Sequence, residues 1–139
     1  MSTHERNHIA AWLFLPPLAV MNGAVRDLTY GRNISYELAH AISVLPLAAL
    51  VFGVAVLVAQ RWPLENVRAA AKVGTVWLLL TVTFEVVLGV ALQVPAREML
   101  AAYDVTRGRV WVLVPLATAV APALARAWQT RRTLKWRHV

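Results

Sequence analysis

The chain has 139 residues, 59% hydrophobic and 15% charged, with a formal net charge of +7 and no cysteine. That composition leaves too little polar surface for an ordinary soluble globule and reads as one domain's length of integral membrane protein. It excludes thiolate catalysis, Cys-ligated zinc, iron–sulfur clusters and disulfides. Because the basic residues sit beside apolar runs, the expected partners are the lipid bilayer and its anionic lipids, not nucleic acid.

The expected fold is all-α, an integral membrane bundle of four transmembrane helices over residues 9–25, 38–59, 73–94 and 110–128, followed by a basic tail, 129–139. The first segment is N-terminal, but its leading region carries a single Arg and its small-residue cleavage pattern is poor, so it reads as a retained helix and not a secretory signal. It ends in "MNGAVRD", where Asn22 and Arg26 are four apart and share a helix face. Arg26 either snorkels to phosphate headgroups or turns inward with Asn22. Gly23 is expected to admit a neighbouring helix or side chain.

In the second span Glu37 and His40 lie three apart at the same end. His40 reads either as a hydrogen-bonded interfacial residue or as a proton-transfer group. The third span contains "LTVTFEVVLGV", which places Glu85 near mid-membrane. An acid facing lipid there costs at least about 2.5–3.5 kcal/mol, so Glu85 must face the bundle interior, a partner or water. Gly74, Leu78, Thr81, Glu85 and Gly89 recur at spacings of three and four, a small and polar stripe suited to close helix packing. Glu85 either locks helices together or changes protonation in function.

The connection "AAYDVTRGRVW" carries Arg107 and Arg109 just ahead of the fourth span. They can meet an anion at a helix N-terminus or bind outer-leaflet phosphates. Pro16, Pro17, Pro46, Pro115 and Pro122 fall within spans, which predicts an irregular bundle. No metal site or cofactor is expected: haem needs a second axial ligand facing His40, and His4, His8 and His138 belong to the opposite side.

Four spans would put Arg6, Arg61, Arg68, Lys72, Arg126, Arg131, Arg132, Lys135 and Arg137 on one side and Arg26, Arg32, Arg97, Arg107 and Arg109 on the other. The richer side is cytoplasmic by the positive-inside rule, so both termini are expected there. Asn22, Arg26, Glu37, His40, Glu85, Arg107 and Arg109 then share the outer half. This predicts a polar cavity opening outward, closed by apolar packing toward the cytoplasm.

The segments "NGAVRD", "HAIS", "LTVTFEVVLGV" and "YDVTRGRVW" resemble a group of small uncharacterised bacterial four-span inner-membrane proteins with NGxxR[DE], FE and GRxW motifs. Asn22, Gly23, Arg26, Asp27, His40, Phe84, Glu85, Gly108, Arg109 and Trp111 occupy the corresponding places. The resemblance covers the four spans and not the tail, and implies a shared site without implying an activity.

Three functions follow as expectations. One is binding or transport of a small anionic or amphipathic ligand, with Glu85 as a proton-coupling group and a homodimer if it transports. Another is an accessory subunit of a larger membrane complex. The third is a membrane enzyme acting on a lipid or quinone-like substrate through His40 and Glu85.

Overall fold

A computed structural model describes residues 1–135, with side chains to residue 131. All regular structure among these residues is helical: α1 (Thr3–Ala11), α2 (Leu15–Leu28), α3 (Tyr36–Arg61), α4 (Val67–Ala91), α5 (Ala96–Ala101) and α6 (Leu113–Lys135), with short 3-10 turns between some of them. Among the described residues, three rods are long and apolar enough to cross a membrane: Thr3–Leu28, Tyr36–Arg61 and Val67–Ala91. Apolar side chains such as Leu45, Leu57, Leu79 and Val87 point outward from them, as lipid contact requires. The chain is a multi-pass helical membrane protein.

The first rod starts six residues before the expected span. Ser2 and Glu5 close a capping box, Ser2 Oγ accepting from Glu5 N at 3.2 Å and Glu5 Oε2 from Ser2 N at 2.9 Å. Within the rod, Pro16 and Pro17 have no N–H to give to the carbonyls four residues back. The chain tightens into a 3-10 turn over Trp12–Phe14 and resumes as α2 with the prolines in its first turn.

α1 is fastened to the α3–α4 connection. His4 Nδ1–H and His8 Nε2–H donate to the carbonyls of Pro63 and Trp62 at 2.8 and 2.9 Å, and Trp77 Nε1–H donates to His8 O at 2.8 Å. Lys72 pairs with Glu5 at 3.2 Å. Arg126 of α6 donates to Leu64 O at 3.2 Å, so the N-terminus, the α3–α4 connection and the far part of α6 gather at one end. The main core, including Trp12, Val51, Ala55, Val73, Trp77 and Ala121, lies toward that end.

α6 lies between α3 and α4 and makes the most extensive helix contacts in the fold. Gly74 permits this: a Cβ there would stand 2.0 Å from the carbonyl oxygen of Ala119. Gly89 makes similar room for Met99, just past Ala96 at the start of α5. α4 stops at Ala91, three residues short of the expected end, with Gln93 at φ 56°. Val94 N donates to Gly89 O and Gln93 N to Val90 O, at 2.9 and 3.0 Å, which completes a Schellman cap with glutamine where glycine is usual.

The residues expected to form the fourth span lie mostly in α6, which is not among the three helices long and apolar enough to cross a membrane. It begins at Leu113, three residues later than the apolar pattern suggests, and Arg126 and Arg131 make its second half more polar than the other long helices. Arg132, Lys135, Trp136 and Arg137 of the expected lipid-binding tail lie outside the residues whose side chains are described.

Candidate functional site

α2 packs on α3, and α4 on α6, but α2 and α4 scarcely touch each other. Between them lies a cavity of about 620 Å³, within the range that holds a small organic molecule. Most of its wall is apolar, with Val20 and Ala24 on α2 across from Phe84 and Leu88 on α4 and Leu92 just past its end. Its floor, toward the terminal end, is closed by Trp12, whose Nε1–H donates to Thr81 Oγ1 at 3.0 Å.

Polar groups collect at the other end. Arg26 stands in the last turn of α2, its side chain only 13% exposed. Its Nε–H and Nη2–H donate to the two carboxylate oxygens of Asp27 at 2.7 and 3.2 Å, and its Nη1–H to His40 Nδ1 at 2.9 Å. Asn22, one turn deeper, donates through Nδ2 to Ser43 O at 3.0 Å and ties α2 to α3. That carbonyl neighbours the one that Pro46 leaves without its usual donor.

Glu85 lines the same cavity from α4. The Tyr103 hydroxyl donates to its Oε2, and Trp111 Nε1–H donates to its Oε1 at 3.0 Å. Tyr103 lies outside the spans; burial, reinforced by the hydrogen bond to Glu85, raises its phenol above the ordinary 10.0. His40 joins the two sides, its ring 5.2 Å from that of Trp111 and 5.0 Å from that of Tyr36.

A second, smaller cavity of about 320 Å³ lies beyond this pair, lined by Tyr36, Glu37, Glu98 and Arg109. His40 and Trp111 line both cavities and so form the partition between them. Arg107 belongs to neither: its side chain is 73% exposed and pairs with Asp104 at 3.3 Å. Asp104 in turn is held below the ordinary carboxylate range, chiefly by its bond from the Thr106 hydroxyl and also by Arg107.

Of the residues that the sequence singled out, Arg26, His40 and Glu85 face one cavity, Asn22 positions the helix beside them, and Arg109 stands in the neighbouring space. Gly23 does not admit a helix. A Cβ there would meet only the Arg26 guanidinium, at 4.0 Å, because the glycine faces the open cavity. Sequence reasoning missed Asp27, Tyr103 and Trp111 as partners, although the quoted motifs contain all three. The cavity is also more apolar than the expected polar pocket, with its ionisable groups confined to one end. Among the described residues, no group of three or more potential metal ligands comes together.

No family model matches the chain, and neither the curated proteins nor the solved structures contain a significant match.

Proposed function

We propose that this membrane protein binds an amphipathic molecule taken from the bilayer, its apolar body between α2 and α4 and its polar head among Arg26, His40 and Glu85. In this reading α6 is the fourth span, both termini are cytoplasmic, and the polar end of the cavity lies in the outer half of a bacterial inner membrane. The observation that carries it is the division of the cavity: apolar walls along two barely touching helices, and the ionisable groups Arg26, Asp27, His40 and Glu85 at one end only. An amphipath dissolved in the membrane has that same division.

The motif positions support the reading, since Arg26, Glu85 and Trp111 belong to three motifs and meet at one cavity. The test is native mass spectrometry after gentle extraction with native lipid. Wild type should retain a small amphipathic adduct, and Gly23→Phe, which places a ring in open space, should lose it while keeping its helical melting profile. An adduct equally abundant in both proteins, or absent from both, would count against binding at this cavity. A bound protein chain displaced by the same substitution would instead favour an accessory subunit.

A further inference from the structure

Among the described residues, Arg26 is the only lysine or arginine facing the membrane cavity, and two carboxylates, Asp27 and Glu85, line it as well. Asp27 takes two of the five guanidinium N–H groups, so the positive charge is compensated before any ligand arrives. A third N–H goes to His40 Nδ1. Arginine can only donate, so Nδ1 supplies the lone pair, the imidazole proton sits on Nε2, and the ring is neutral while this bond is made.

Two guanidinium N–H groups and His40 Nε2–H then have no protein partner among the described residues. Across the cavity each Glu85 oxygen accepts one bond and retains further acceptor capacity. The head-group end therefore offers both donors and acceptors but no uncompensated cation.

The geometry points to a ligand with a neutral head group that carries at least one oxygen acceptor and one hydroxyl or amide donor, on a long apolar body. Long-chain alcohols, acylglycerols and hydroquinones belong to this class. An anionic head would meet a guanidinium already paired with Asp27 and a second carboxylate opposite. An ammonium head would leave the Arg26 and His40 donors without an acceptor. This selectivity rests on the binding reading above and replaces the anion preference that Arg26 alone would suggest.

Trp12 and Trp111 line the cavity and serve as reporters, because bromine quenches indole fluorescence on contact. Full-length protein in phosphatidylcholine nanodiscs is titrated with brominated oleyl alcohol, its sulfate ester and the matching brominated amine. These share one apolar body and differ only in the head. The alcohol should reach half-maximal quenching at a mole fraction about ten-fold below either charged probe, a difference of about 1.4 kcal/mol. Asp27→Asn uncovers the Arg26 charge and should shift the preference toward the sulfate by a similar factor.

Wild-type protein that takes the sulfate or the amine as well as the alcohol would overturn the neutral-head assignment and leave the cavity a binding site. Quenching that does not saturate for any probe, and is unchanged by Gly23→Phe, would overturn the binding reading and this assignment together.

Discussion

Glu85 accepts from two donors that arrive from the same connection, Tyr103 and Trp111, 18 and 26 residues away in sequence. An amide has one oxygen in place of two, so Glu85→Gln leaves one of these donors without its acceptor. We expect a loss of about 1–3 kcal/mol in unfolding free energy, measured by denaturant titration in mild detergent. Tyr103→Phe added to Glu85→Gln should cost much less than it does in wild type, since the pair acts as one unit. Additive losses would mean that the two groups are not coupled.

The raised Tyr103 phenol makes a pH prediction. A group whose folded pKa lies above its ordinary 10.0 contributes stability that is fully present below that pH and is lost as pH rises through the folded value. The most alkaline phase of the tyrosinate absorbance titration should therefore disappear in Tyr103→Phe. That Glu85 faces inward was legible from its position in an apolar run, but its partners were not, because spacing along one helix says nothing about a loop that folds back over it. The Arg26–Asp27 pair escaped for a related reason. Adjacent helical residues project about 100° apart, and only at the helix end, with Asp27 64% exposed, can the two side chains meet.

At the scale of elements, the stripe of small and polar residues on α4 worked as its spacing suggested. Gly74 and Gly89 admit neighbours, and Thr81 and Glu85 accept hydrogen bonds. Gly74→Leu forces a side chain into the Ala119 backbone and should cost about 3 kcal/mol, visible as a lowered unfolding temperature. Gln93 makes the opposite prediction: it pays the left-handed strain that glycine avoids, so Gln93→Gly should stabilise the protein by about 1 kcal/mol.

Element ends were the least legible part of the fold. The "STHE" box that starts α1 was present in the sequence, but polar residues hid the helix from a search for apolar runs. α5, with six residues, has too few turns to produce a periodic pattern.

For the whole molecule, α1 and α6 both anchor to the α3–α4 connection, which gathers the described part of the more basic set of segments at one end of the bundle. With no native cysteine, sidedness can be read from single substitutions. Ser35→Cys should react with an impermeant maleimide in intact cells, whereas Glu65→Cys and Arg131→Cys should react only after the membrane is opened. Labelling of Arg131→Cys together with Ser35→Cys in intact cells would deny α6 its span.

Binding of an amphipath between α2 and α4 depends most on lateral access, the filling of that space from the bilayer. The most direct test is photo-crosslinking in native membranes with a long-chain alcohol that carries a diazirine in its apolar tail, followed by peptide mapping. Saturable crosslinks concentrated on cavity-lining positions such as Ala24, Phe84 and Leu88, and lost in Gly23→Phe, are the predicted result. Crosslinks spread evenly over outward-facing residues such as Leu45, Leu57 and Leu79, and indifferent to Gly23→Phe, would contradict it.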